Sequence, residues 1–268
     1  MTIYARDYRK LTDVESEEYE KCLKREKVVS IDGLDVRRNL LRKYPKAARH
    51  FQQVFPNNYL DFVDLQDKQR LSRKVDKLEE VLDNDACIER DVVRYIRESC
   101  SYFAIASVLH RYYNFGHHAT HIFPEFSLGT SFRADYLLVG QNSSGWHLVF
   151  VELESVYGRI TKACGNFGES IRNGVEQVED WSNWLDRNYS ILRDEFVKHL
   201  AYNKQLPDEL TQYDSTRIHY LVVAGRRKDY AESTYRKGRI LERGQKIGVV
   251  HYDNILDTAR YIIGRDTF

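Results

Sequence analysis

The chain has 268 residues with 41 Lys and Arg against 40 Asp and Glu. That is long enough for one large domain or for a domain with a helical extension, and the near-neutral balance excludes a bulk polybasic nucleic-acid binder, leaving only local basic surfaces. Four widely spaced cysteines (Cys22, Cys87, Cys100 and Cys164) form no CxxC pair and follow no secretory leader, so a reducing, cytoplasmic setting is expected rather than a disulfide framework or a zinc ribbon. No apolar run approaches membrane-spanning length.

In chain order, residues 1–28 are highly charged and read as a solvated helix or a frayed arm. Residues 28–58, with Gly33, Pro45 and Pro56, read as short helices joined by turns. Asn57 or Asn58 is expected to cap a longer helix over 59–82, because Phe62, Leu65, Leu71, Val75, Leu78 and Leu82 step by three and four. Its outer face is basic, with Lys68, Arg70, Arg73, Lys74 and Lys77. Asp83-Asn84-Asp85 punctuates the chain, and the domain boundary is placed there: a helical N-terminal regulatory or oligomerisation region over 1–85, and a main domain over 86–268 that should fold by itself.

The stretch 87–114 has a broad apolar face, a break near Ser99–Ser101 and a stop at Asn114-Phe115-Gly116. His117, His118 and His121 follow, but HHxxH is not a recognised zinc ligand set, and a surface patch leading into a strand is the expected reading. Strands are then expected over 119–126, 132–139 and 146–153, the last two joined through the polar turn Gln141-Asn142-Ser143-Ser144-Gly145. A loop with Tyr157, Arg159 and Lys162 leads to a helix over 167–188, whose stripe runs Phe167, Ile171, Val175, Val178, Trp181 and Leu185, with Gln177 at its edge. At that spacing Trp181 and Trp184 read as core rather than as base-stacking platforms. A central strand over 218–224 exits into Gly225-Arg226-Arg227-Lys228. A helix over 230–242, a strand over 247–252 and a last helix capped by Asp253 complete the chain.

The acids fall in odd places. Asp135 interrupts an apolar strand, and Glu152 and Glu154 share one face of the next while Val151 and Leu153 take the other. By alternation Arg133, Asp135 and Leu137 share a face, and Asp135 can meet the two glutamates if the register allows. Acids at a sheet centre are costly unless a cation pairs with them, and a hard divalent ion suits carboxylates. The bland alternative is a set of buried ion pairs with Arg133, Arg159 or Lys162.

Pro124-Glu125-Phe126 with Leu128-Gly129, Arg133-Ala134-Asp135-Tyr136, Val151-Glu152-Leu153-Glu154, Gln177 with Asp180-Trp181 and Trp184, the exit Gly225-Arg226 and His251-Tyr252-Asp253 occur in an order that resembles the nuclease domain of the Shedu anti-phage defence family, within the PD-(D/E)xK nuclease superfamily. The resemblance covers roughly residues 88–263. It implies an α/β fold with a central mixed sheet flanked by helices, and a metal-dependent DNA endonuclease using Mg (or Mn). Asp135 and Glu152 would be the metal-binding acids, Glu125 an assisting carboxylate and Gln177 an orienting side chain. The partners implied are DNA, phage-derived, and further copies of the chain, with no membrane. Where the superfamily has lysine, this chain has Glu154, which leaves two readings: Glu154 would serve as general base or extra metal ligand, or activity has been lost; a cation arriving from elsewhere, such as Lys162 or Arg133, would compensate for the missing lysine. The alternative is a catalytically inactive nuclease-fold module that binds or senses nucleic acid.

Overall fold

A computed structural model describes residues 3–25, 29–31, 34–36 and 43–268. The charged N-terminal stretch contains α1 (Asp13–Arg25). Where short helices were expected, β1 (Val29–Ile31) and β2 (Leu34–Val36) pair antiparallel; Gly33 lies outside the described residues. A short helix, α2 (Lys46–Phe51), follows Pro45.

The single helix expected over 59–82 is divided. Leu60 donates its amide to the Thr120 carbonyl and Asn58 accepts from the Ile122 amide, so this segment lines a sheet edge instead. Asp61 then accepts the Val63 amide and opens a 3-10 turn over Phe62–Gln66. Asp67 accepts the Arg70 amide and starts α3 (Lys68–Leu82). Two aspartates competing for backbone amides end one helical run and begin another, whereas the expected caps are used elsewhere: Asn58 donates to the Ile122 carbonyl.

After α3 come α4 (Glu89–Glu98) and α5 (Tyr102–Ala106), separated where the break was expected. Asn114 closes this helical stretch in the left-handed region. The main sheet is built from β3 (Ala119–Leu128), β4 (Phe132–Asn142), β5 (Gly145–Leu153), β6 (Ile218–Val223) and β7 (Ile247–Val250), in the spatial order in which they occur in the chain. The first three are antiparallel, and the pairs β5–β6 and β6–β7 are parallel. The β4–β5 hairpin is tighter than its sequence suggests. Asn142 pairs with Gly145, and the Asn142 carboxamide oxygen accepts the Ser144 amide.

One face of the sheet carries α6 (Glu169–Asn188) and α7 (Ser190–Val197). There Phe150, Tyr220 and Val222 pack with Val178, Leu185 and a fully buried Trp181, which is core as expected. The other face is covered by α3, α4, α5 and α9 (Tyr252–Ile262), with Val149, Val151, Leu153, Leu221 and Val223 beneath them. Leu71, Val75, Leu78 and Leu82 of α3 sit in this core together with Ile255, Leu256 and Ala259 of α9. The apolar core therefore continues across Asp83–Asp85, where the domain boundary was expected. Turn chemistry marks that point, and packing does not stop there. The remaining helix, α8 (Glu232–Gln245), lies before β7.

The last helix is capped by His251, whose ring accepts the Asn254 amide. Asp253, the expected cap, instead receives the Arg226 guanidinium at 2.9 Å. Among the described residues no helix is long and apolar enough to cross a membrane.

Candidate active site

The acids converge where the hairpin β4–β5 runs out. The ladder between these strands ends at Tyr136 opposite Val151, one step short of Asp135 and Glu152. Instead of continuing it, the Asp135 carboxylate accepts the Leu153 amide at 2.7 Å. On the other side of β4, Glu125 has a positive φ of 51° and interrupts the pairing between Pro124–Tyr136 and Phe126–Ala134. A non-glycine residue in that region is a local irregularity with a reason to be sought in its neighbours. Here it lets Phe123 and Phe126 enter the same core although they are three residues apart, and Ala134 and Leu137 do likewise. Simple alternation, which put Arg133, Asp135 and Leu137 on one face, fails at this kink.

On β5 alternation holds. Leu148 and Phe150 face α6, while Val149, Val151 and Leu153 face α9. Glu152 follows on the α6 side, 8 % exposed, and its Oε2 atom is buried without a hydrogen-bond partner. The Glu154 amide donates to the Val223 carbonyl at 2.8 Å and extends the pairing with β6. Its side chain lies against Gly174 of α6. A Cβ at that glycine would stand 2.6 Å from Val222 Cγ1 and 2.9 Å from Glu154 Cγ. A helix-interior glycine usually costs ~0.5–1 kcal/mol relative to alanine, and here its bareness makes room for the carboxylate. Gly174→Ala is expected to lower stability by about 1–3 kcal/mol through overpacking and to displace Glu154, read by thermal melting beside a cleavage assay.

A fourth acid, which the sequence reading missed, joins this group. Glu89 is the first residue of α4. Its carboxyl is raised above its ordinary value by burial, against the opposing Arg90, and it in turn raises Asp135, Glu152 and Glu154. Burial is the first cause of each of those shifts. For Asp135 the Leu153 hydrogen bond opposes it, and Glu89 and Glu125 reinforce it. For Glu152 burial is joined by Asp135, Glu154 and Glu89. Glu154 is pushed up to about 7 by burial, then by Glu89 and Asp135, with the Ser155 amide opposing.

The expected compensating residues, Arg133 and Lys162, and Arg159 with them, make no ion pair with Asp135, Glu152 or Glu154 among the described residues. Arg133 lies 3.9 Å from Glu125. Glu125 itself is at the rim, its side chain 42 % exposed, near enough to act on Asp135 but outside the buried group. Gln177 is half-buried on α6, about one turn beyond Gly174. The reading of this cluster as structural ion pairs therefore finds no partners among the described residues.

Hard oxygen donors, raised carboxyls and an orphaned buried oxygen fit a divalent cation. Among the described residues no group of three or more His, Cys, Asp and Glu stands ready to hold one, so the fit is to an open site of two carboxylates completed by main-chain, water or substrate oxygens. The histidine run supplies no alternative. His117 and His118 are exposed, while His121, expected at the surface, is buried against Phe55, Tyr59 and Trp146.

With this geometry in view, the chain can be compared with known families. The family described as "Shedu protein SduA, C-terminal" matches residues 49–256. No curated protein matches the chain.

Proposed function

The chain belongs to the Shedu SduA family, matched over most of its length, and from that premise we propose that it is a metal-dependent DNA endonuclease of the PD-(D/E)xK type acting in anti-phage defence. One observation carries this reading: a buried Glu152 sits beside half-buried Asp135 and Glu154, and among the described residues none of the three meets a cation and one Glu152 oxygen has no partner. The family match begins ahead of α3, which agrees with a functional unit larger than the segment after residue 85.

Asp135 and Glu152 would hold Mg (or Mn), with Glu89 adding negative charge to the group and Glu125 assisting from the rim. When bound, such an ion neutralises charge developing on the phosphate and lowers the pKa of water. The residues of the chain do the rest. The Leu153 amide fixes one oxygen of Asp135 and thereby the orientation of its carboxylate. Burial and the neighbouring acids raise the Glu154 carboxyl in the ion-free protein; a cation held beside it would lower that value again, so that an ionised Glu154 would take the proton of the attacking water. Glutamate at the usual lysine position thus has a task of its own. Gln177, from α6, orients the water or phosphate. DNA, phage-derived, would be the substrate, held by local basic surface; a homo-oligomer and a cytoplasmic setting complete the proposal.

The same Glu154 favours a second reading, a non-catalytic module that binds or senses nucleic acid, because the lysine is missing and among the described residues no other cation takes its place. Cleavage of circular and linear DNA with Mg or Mn separates the two. Asp135→Ala and Glu152→Ala should abolish cleavage while the fold persists, and full activity in folded Glu152→Ala would remove the site. Glu154→Gln is expected to weaken metal-induced stabilisation and to lower the cleavage rate on the order of a hundredfold, read by a Mn thermal-melt titration beside the nuclease assay. Unchanged cleavage would make Glu154 a bystander.

A further inference from the structure

Tyr252, the first residue of α9, is 2 % exposed, and its hydroxyl donates to the main-chain carbonyl of Glu154 at 2.6 Å. The amide of Glu154 is already bound to the Val223 carbonyl. Both peptide units flanking the Glu154 Cα are therefore held, one from β6 and one from α9. That fixes the direction in which the side chain leaves the backbone, and Gly174 leaves it room on the far side.

Tyr252 is anchored in its own right. Its amide donates to the Gly225 carbonyl at 3.0 Å. The adjoining Asp253 receives the Arg226 side chain at 2.9 Å and the Arg227 amide at 2.7 Å. Arg226 also reaches the Leu82 carbonyl at 2.7 Å and Asp83 at 2.8 Å. The hydroxyl consequently comes from a braced element, and Glu89, Asp135 and Glu154 all act on it electrostatically. Among so many acids a phenol can donate a hydrogen bond without bringing a further charge.

We propose that Tyr252 is a positioning residue of the acid cluster: its hydroxyl orients Glu154, and through the strand exit Glu152, for proton transfer and cation binding. This rests on the nuclease reading above. A neutral donor on α9, far along the chain from the acids, thereby controls how they are presented.

The test compares wild type, Tyr252→Phe, Glu154→Gln and the double variant. Tyr4→Phe serves as a control, because it too loses a hydroxyl bound to a main-chain carbonyl. The readouts are kcat and KM on a DNA duplex across pH, and the Mn concentration that half-saturates the thermal shift. Tyr252→Phe should fold, keep KM, lower kcat by at least about tenfold, move the limb of the pH profile that reports the base, and require more Mn. On the Glu154→Gln background it should cost little more, since residues acting as a unit are not additive, and Tyr4→Phe should resemble wild type. Wild-type kcat, pH profile and Mn response in Tyr252→Phe would overturn the proposal. So would full additivity with Glu154→Gln, or a Tyr252→Phe protein that does not fold, because the hydroxyl would then serve the core alone. A wild type that neither cleaves nor responds to Mn brings down the nuclease reading itself. Wild-type cleavage with an indifferent Tyr252→Phe brings down only this inference.

Discussion

Glu152→Gln is expected to make the metal-free protein more stable while abolishing its cleavage. Glutamine keeps the shape of the side chain and removes a buried acid that no cation meets. The sign follows from proton linkage. Glu152 and Glu154 have folded pKa values raised above their unfolded values. The folded state therefore holds protons that the unfolded state releases, and stability present at low pH is lost as pH rises. For Glu154 the loss runs from about 4.5 through about 7; for Glu152 it extends higher. Near pH 8 the gain in Glu152→Gln should be about 1–3 kcal/mol, growing by at most ~1.4 kcal/mol per pH unit. In a chain of this size each ~1 kcal/mol corresponds to roughly 2–4 °C in melting temperature. Manganese should reverse the order at neutral pH by stabilising wild type more than the variant. Melting curves between pH 5 and 9, with and without Mn, read all of this. A variant that is less stable than wild type throughout would show that the carboxylate is already satisfied in the protein alone.

Removing residues 1–85 is expected to destroy the fold rather than release a working domain. Leu71, Val75, Leu78 and Leu82 are each at most 3 % exposed, and they meet α9 inside the same core that underlies the acid cluster. Burial of one such side chain contributes ~1.5–3 kcal/mol, so losing four outweighs the ~5–15 kcal/mol net stability of an ordinary domain at the lower end of both ranges. The loss would also strip Leu82 and Asp83 from Arg226. The separable domain expected from the turn at Asp83–Asp85 would instead be soluble, with a cooperative melt, and circular dichroism of a chain starting at Ala86 distinguishes the two.

The hairpin was legible because β4 and β5 have apolar runs bounded by a polar turn, and the acids stood out against those runs. Glu89 did not stand out, since an acid in the first turn of a helix is ordinary complement to the helix dipole; only the tertiary arrangement carries it to Asp135. The kink at Glu125 was invisible for a related reason, because glutamate does not advertise a positive φ as glycine would. The helix over 59–82 was overextended because Phe62 and Leu65 keep the apolar stripe in step across Asp61 and Asp67, whose side chains take the backbone amides. Periodicity reports which faces are buried. It is silent on where the backbone turns aside between them.

The two kinds of strand pairing in the main sheet set an order of assembly. β3, β4 and β5 are neighbours in the chain and join through short turns, whereas β6 arrives only after α6 and α7. Loops that long are slow to close relative to hairpins, so the antiparallel half can form while the ends of β5 are still open to water. Glu154 acquires its bond to Val223 only when β6 docks, and its bond to Tyr252 only with α9. The hairpin alone brings Asp135 to Glu152, whereas Glu154 is fixed beside them only by elements that reach the site through long connections.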